Sequence, residues 1–292
     1  MGLFRGCLNT HGVIKTGRLN REVIKAIMRD ILKKIQVNLP FQQLYHQYLP
    51  TILKEKINPE IGFNYHVLDS TRREEFLHVA GVLQEAGVRI TFHAPFMDLR
   101  PGALDPRIRQ VTIDRLNQVF ELVPYFQPKA VVCHPSFDER YYVATGPRWL
   151  ENSISTWRAL SGTAKDMSTV IMLENVYETN PSYLGVLLDQ VNSPQLRFCF
   201  DTGHFNAYSK TDLTLWLEKL GPYVGELHLH DNNGSSDDHL PVGKGSFPFP
   251  RLFAFLRERR MTPIVTIEPH TEKNLWDTLD HIRGTGLLND CC

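Results

Sequence analysis

FCFDTGH, residues 198–204, is an apolar run that ends in a carboxylate, Asp201, with a histidine, His204, three residues further on. An apolar run without polar alternation is what a strand buried on both faces looks like. A charge at the end of such a strand is costly unless it has partners. Five more runs repeat the design. ITFHAP (90–95) carries His93, VVCHPS (131–136) carries His134, and VIMLEN (170–175) carries Glu174. GELHLHD (225–231) carries His228, and IVTIEP (264–269) carries Glu268. A seventh segment, DDHLPVGKG (237–245), adds Asp237 and His239. One polar residue at a strand end can arise by chance. Six of them predict convergence, and a parallel barrel provides it, because all its strands open onto one face.

Working outward, eight apolar runs mark candidate strands: 3–8, 60–65, 89–93, 130–134, 170–174, 196–201, 225–230 and 264–268. Helical patterns lie between them. Over 108–126, Ile108, Val111, Leu116, Val119, Phe120 and Val123 recur near a 3.6-residue period. Segments 183–191, 213–220, 252–256 and 276–282 behave alike, with Ser182 and Asp212 as expected N-caps. Strand–helix alternation repeated eight times predicts an α/β fold, a (β/α)8 TIM barrel forming a single domain over residues 1–292. Segment 9–59 is longer than a standard crossover. It reads as a decorated first β/α unit with helical patterns at 21–35 and 41–56, separated by Pro40.

Composition narrows the function. Of 292 residues, 42% are hydrophobic, enough for a globular core. The 32 Lys and Arg balance the 32 Asp and Glu, so no global charge draws the chain to nucleic acid or to an acidic membrane. No apolar run approaches the ~18 residues of a membrane span, and no signal-peptide pattern opens the chain. Cys7, Cys133, Cys199, Cys291 and Cys292 form no disulfide framework. The expected location is cytoplasmic, and the terminal Cys-Cys reads as a frayed tail.

Imidazoles and carboxylates together suit zinc, manganese, iron or cobalt, whereas calcium favours all-oxygen cages. The candidate ligands are His93, His134, Glu174, Asp201, His204, His228, Asp237, His239 and Glu268. One ion takes about four to six ligands. Nine candidates therefore suit one ion plus substrate contacts, or up to three ions with a bridging carboxylate. Taken singly, each residue has a bland reading as a core histidine, a helix cap or a solvated loop residue. Jointly those readings weaken. His230 alternates with His228 and is expected to face another way. His11, after the first run, and Arg109 and Lys244, near rim loops, are candidate substrate contacts. Arg100 and Arg107 could meet a phosphate equally well as solvent. His46, His66, His78, His270 and His281 carry no signal.

The motifs FHAPFMDLRPGALDP, CHPSF, LENVYE, CFDTGHFNAY, HLHDNNGSSDDHLPVGKG and IEPH resemble the superfamily of xylose-isomerase-like barrels. That superfamily includes sugar-phosphate isomerases and epimerases as well as the endonuclease IV repair enzymes. The resemblance runs from the third strand to the eighth, with weaker support before that. In the epimerases a single ion, often manganese, is held by Glu, Asp, His and Glu, which match Glu174, Asp201, His228 and Glu268. In endonuclease IV three zinc ions use further residues, which match His93, His134, His204, Asp237 and His239. The resemblance departs at Lys244, which stands between Gly243 and Gly245 where relatives commonly carry glutamate.

Two activities follow as expectations. The first is a metal-dependent isomerase or epimerase on a small sugar or sugar phosphate, through a metal-stabilised enediolate, with Glu174 and Glu268 as base and acid. The second is a metal-dependent phosphodiesterase on abasic-site DNA, which would need many phosphate contacts around the mouth. Arg140, Arg148, Lys210 and Lys244 form no dense cluster, which favours the first.

Overall fold

The structure is a computed structural model that describes residues 28–289. Eight parallel strands close into a barrel in chain order. They are β1 (Gln36–Pro40), β2 (Asn58–Gly62), β3 (Thr91–His93), β4 (Val131–Cys133), β5 (Ile171–Glu174), β6 (Leu196–Asp201), β7 (Val224–Leu229) and β8 (Ile264–Ile267). The main helices that follow them in turn are α1 (Leu49–Glu55), α2 (Arg73–Ala86), α3 (Pro106–Phe120), α4 (Gly146–Asp166), α5 (Ser182–Val191), α6 (Leu213–Leu220), α7 (Phe249–Glu258) and α8 (Glu272–Thr285). Among the described residues, no helix is long and apolar enough to cross a membrane.

Seven of the eight expected strands form where the apolar runs lie. The first does not. The run at 3–8 lies outside the described residues, and its place in the ring is taken by Gln36–Pro40. That strand pairs Gln36 with Asn58 on one side and with Thr266 on the other. Gln36 and Asn38 are polar, so the strand lacks the continuous apolar character of its neighbours. Pro40, read as a break between helices, is instead the last residue of β1 and the N-cap of the helical turn Phe41–Gln43. The pattern at 41–56 becomes that turn, a π-helical turn (Leu44–Tyr48) and α1. Of the pattern at 21–35, residues 28–32 are helical and 21–27 lie outside the described residues.

Smaller differences are local. Asp212 caps α6 as expected, its carboxylate accepting from Thr214 N at 2.7 Å. Ser182 is the first residue of α5, and Pro181 occupies the cap. The pattern at 108–126 splits into α3 and a short helix, Val123–Phe126. Leu116, Val119 and Phe120 are buried, whereas Ile108 and Val111 face solvent.

Two apolar regions and one polar layer position the site. The larger apolar region lies between strands and helices, with Trp149, Trp157, Trp216 and Phe92 fully buried. The smaller comprises Ala130, Val132, Met172 and Cys199, contributed by β4, β5 and β6 or the residues beside them. Asn38, Glu60, Thr91, Glu226 and Thr266 come from five different strands. Hydrogen bonds link them to one another, so they meet inside the barrel.

Candidate metal centre

The carboxyl ends of all eight strands, with their loops, surround a cavity of about 640 Å³. His93 ends β3, Glu174 ends β5 and Asp201 ends β6. His134 and Glu268 stand one residue past β4 and β8. His228 lies in β7, and His230 stands just beyond it.

Glu174 is the hub. Its Oε2 lies 3.1 Å from both His93 Nε2 and His134 Nε2, and its Oε1 lies 3.0 Å from His204 Nδ1. His228 Nδ1 approaches Glu268 Oε1 at 3.0 Å, Glu174 Oε2 at 3.5 Å and Asp201 Oδ2 at 3.9 Å. Asp237 Oδ2 lies 3.3 Å from His204 Nε2 and 3.2 Å from His239 Nε2. With metal–ligand bonds of about 2.0–2.2 Å, two donors on one tetrahedral or octahedral ion sit roughly 3.0–3.6 Å apart. Most of these distances fall in that range.

Hydrogen bonding does not account for all of them. His204 Nδ1, both ring nitrogens of His228, His230 Nδ1 and Asp237 Oδ1 are buried without a hydrogen-bond partner. Buried polar atoms are nearly always satisfied. Donors that crowd together yet miss hydrogen-bond alignment have the character of a metal site, and N/O donors of this kind suit zinc or manganese. Among the described residues, five groups of three have ligand atoms close enough to share an ion: His93, His134 and Glu174; Glu174, Asp201 and His228; His230, His239 and Glu268; His93, His228 and Glu268; and, in the layer beneath, Glu60, Glu226 and His228.

The electrostatics agree. Burial pushes the Glu174 carboxyl up, but His134 and His228 outweigh it and hold it well below the ordinary carboxylate range. Burial is likewise outweighed at Glu268 by His228, and at Asp237 by hydrogen bonds to His204 and His239. His239 shows the reverse sign: burial opposes its charge, yet its bond to Asp237 raises it to about 9. His93 and His134 share Glu174 but move apart. Burial prevails at His134 and lowers it, whereas the bond and charge of Glu174 prevail at His93 and raise it.

Local sequence explains how the ligands are aimed. Asp201 also caps the helix Thr202–Tyr208, accepting from His204 N at 2.6 Å, which brings His204 back over the strand end. Gly203 is required because a Cβ there would lie 2.0 Å from His230 Cε1. Asp231 organises the loop that carries Asp237 and His239. Its carboxylate accepts from the backbone N–H groups of Asn232, Gly243, Gly245 and Phe247 at 2.8–3.1 Å. A Cβ at Gly245 would sit 2.1 Å from Asn232 O, so the Gly-Lys-Gly turn packs against Asp231. His239 is held at φ +46° within this loop, a strained backbone for a non-glycine residue.

All nine sequence-derived ligand candidates come together. His230, expected to point elsewhere, joins them: Nε2 meets Asp201 Oδ2 at 2.9 Å, and its ring stacks on His239 at 3.8 Å. Strand alternation does not apply to it, because β7 ends at Leu229. His270 stacks on His239 at 4.0 Å and lines the cavity. Glu60 and Glu226 lie in the barrel beneath, and neither stood out in the sequence. His11 lies outside the described residues. Arg109 and Lys244 do not line the cavity. Arg109 Nη1 donates to Ala103 O, and Lys244 is exposed. Arg107 is exposed at the start of α3. Arg100 does line the cavity, with its guanidinium 4.3 Å over the Tyr141 ring.

Known proteins share this framework. Over 203 residues the chain is 30% identical to an uncharacterized protein of Methanocaldococcus jannaschii, covering 66% of this chain and 67% of that protein. It is 26% identical over 203 residues to a probable endonuclease 4 of Mycoplasmopsis pulmonis, covering 63% and 71%. The crystal structure of a D-tagatose 3-epimerase-like protein superposes with a TM-score of 0.74 at 24% identity, covering 88% of this chain and 98% of that one. Residues 60–285 match the family described as xylose isomerase-like TIM barrel, and the chain belongs to that family.

Proposed function

We propose that the chain is a divalent-metal-dependent isomerase or epimerase acting on a small sugar or sugar phosphate. The observation that carries this reading is the placement of Glu174 and Glu268. They stand at the ends of β5 and β8, flank His228 Nδ1 at 3.5 and 3.0 Å, and both line the cavity. Glu174, Asp201, His228 and Glu268 would hold the primary ion. His93, His134, His204, Asp237 and His239 supply donors for one or two more, and His230 extends the set. Zinc and manganese suit these donors best, and iron or cobalt also fit.

A bound divalent cation supplies a Lewis acid for the negative charge that develops on a substrate oxygen as a neighbouring carbon loses its proton. The chain's own residues do the rest. Glu174 and Glu268 are both held as carboxylates, the form a general base needs. One takes the proton from carbon and passes it on to solvent, and the other, in its protonated form after exchange with solvent, delivers a proton to the opposite face, so that one proton leaves and one arrives in each turnover. Phe96, stacked on His134 at 4.4 Å, and Tyr208, beside His204, give the cavity apolar walls against which a sugar ring can pack.

The alternative is an endonuclease IV-like phosphodiesterase acting on abasic-site DNA. The probable endonuclease 4 relative favours it, as does the full set of converging donors. One experiment separates the two. Metal-loaded protein is incubated in D2O with ketohexoses, pentuloses and their phosphates, and in parallel with a duplex carrying one abasic site. The expected result is deuterium at the carbon beside the carbonyl, with appearance of the epimer or isomer, both abolished by Glu174→Gln and Glu268→Gln. Strand incision without sugar turnover would replace this reading with the phosphodiesterase.

A further inference from the structure

Beneath the cavity, the ligand cluster rests on a second carboxylate layer. Glu60, on β2, is fully buried. Its Oε1 accepts from Asn38 Nδ2 at 2.8 Å, and its Oε2 accepts from the hydroxyls of Thr91 and Thr266, each at 3.2 Å. These three donors come from β1, β3 and β8, so the Glu60 carboxylate is clamped from several strands. The same Oε1 lies 3.2 Å from Nε2 of His228, a buried nitrogen that forms no aligned hydrogen bond among the described residues and has the Glu60 carboxylate as its neighbouring acceptor. The other ring nitrogen, Nδ1, faces Glu268 and Glu174.

A neutral imidazole carries one N–H and one lone pair, and which nitrogen keeps the proton is set by what the other meets. Metal-binding histidines commonly direct the protonated nitrogen at a carboxylate, which fixes the ring and raises its basicity as a ligand. We propose that Glu60 is a positioning residue for the metal centre. Its carboxylate takes the Nε2–H of His228 and so commits Nδ1 as the lone pair offered between Glu174 and Glu268. The inference rests on the metal-centre reading above.

Thr266 has one hydroxyl proton but lies within reach of two carboxyl groups, Glu60 Oε2 at 3.2 Å and Glu226 Oε1 at 2.8 Å. It cannot serve both at once. Asn38 and Thr91 supply Glu60 with further donors, so the acceptor role of Glu60 survives whichever carboxyl Thr266 serves.

The test compares wild type, Glu60→Gln and a control, Leu187→Ala, which removes buried apolar volume from α5, outside the ring of strands and away from the cavity lining. Manganese and zinc affinities are measured by chelator competition, and melting of each metal-free protein is recorded alongside. The glutamine amide can turn its NH2 toward Nε2 and favour the wrong tautomer. Glu60→Gln is therefore expected to weaken metal binding about 10–100-fold. Leu187→Ala is expected to lower the melting temperature and leave affinity unchanged. If Glu60→Gln melts lower but binds metal like wild type, Glu60 is only scaffold and the inference fails. Wild type that binds no metal overturns both this inference and the reading beneath it. If Glu60→Gln does not fold, wild-type protein labelled with ¹⁵N-histidine and loaded with zinc answers directly, with His228→Gln used for assignment. His228 protonated at Nε2 supports the inference, and protonation at Nδ1 overturns it.

Discussion

Glu174 and His239 carry opposite halves of the site's charge logic. Glu174 faces three histidine nitrogens at 3.0–3.1 Å. Its replacement by glutamine removes the charge and one lone-pair face while keeping the shape. The expected result is metal affinity weakened by roughly 10–100-fold or more, with loss of any metal-dependent turnover, read by metal analysis after dialysis. His239 is raised to about 9 by Asp237. A group raised on folding contributes stability that is complete below its unfolded value of about 6.5 and is lost as pH rises through about 9. The metal-free protein should therefore lose part of its stability across that window. Metal binding needs the neutral ring, so an ion must displace this proton below pH 9. Affinity should rise with pH, by about tenfold per unit for one proton, and level off near 9. Isothermal titrations at several pH values check the slope. A flat profile would remove His239 from the ligand set.

The loop between β7 and α7 behaves as a unit because Asp231 gathers four backbone N–H groups. Asp231→Ala orphans those donors and should cost about 2–4 kcal/mol in urea unfolding. It should also weaken metal binding, although Asp231 is no ligand, since Asp237 and His239 lose their frame. Gly203→Ala drives a methyl into His230 and should cost about 1–3 kcal/mol. Strand ends were legible because six runs share one grammar, an apolar stretch and then a ligand-type residue. The first strand was not, because Gln36 and Asn38 face a polar interior and Pro40 mimics a helix break. His230 was missed by applying strand alternation past the end of the strand. Glu60 was hidden between Pro59 and Gly62, in a run whose partner lies 206 residues away in Thr266. Chain position puts Arg109 and Lys244 near the rim, but Arg109 is engaged by Ala103 O, Lys244 is exposed, and neither lines the cavity.

At the scale of the molecule, eight strands supply one cavity, so an ion there ties distant parts of the chain together. Binding to the native state alone stabilises it by about 2.7 kcal/mol at a hundredfold excess over the dissociation constant. For a domain of this size the melting midpoint should rise by about 4–5 °C on adding zinc or manganese, and fall back with a chelator. The central claim is that the converging histidines and carboxylates form a divalent-metal centre. It is tested most directly by anomalous scattering from crystals loaded with manganese or zinc, with data collected at the edge of each metal. One to three ions are predicted per chain, each within bonding distance of residues from the set Glu174, Asp201, His228, Glu268, His93, His134, His204, Asp237 and His239, and one of them bound by both Glu174 and Glu268. A cavity with no anomalous peak at saturating metal, or ions bound only on the outer surface, would contradict it.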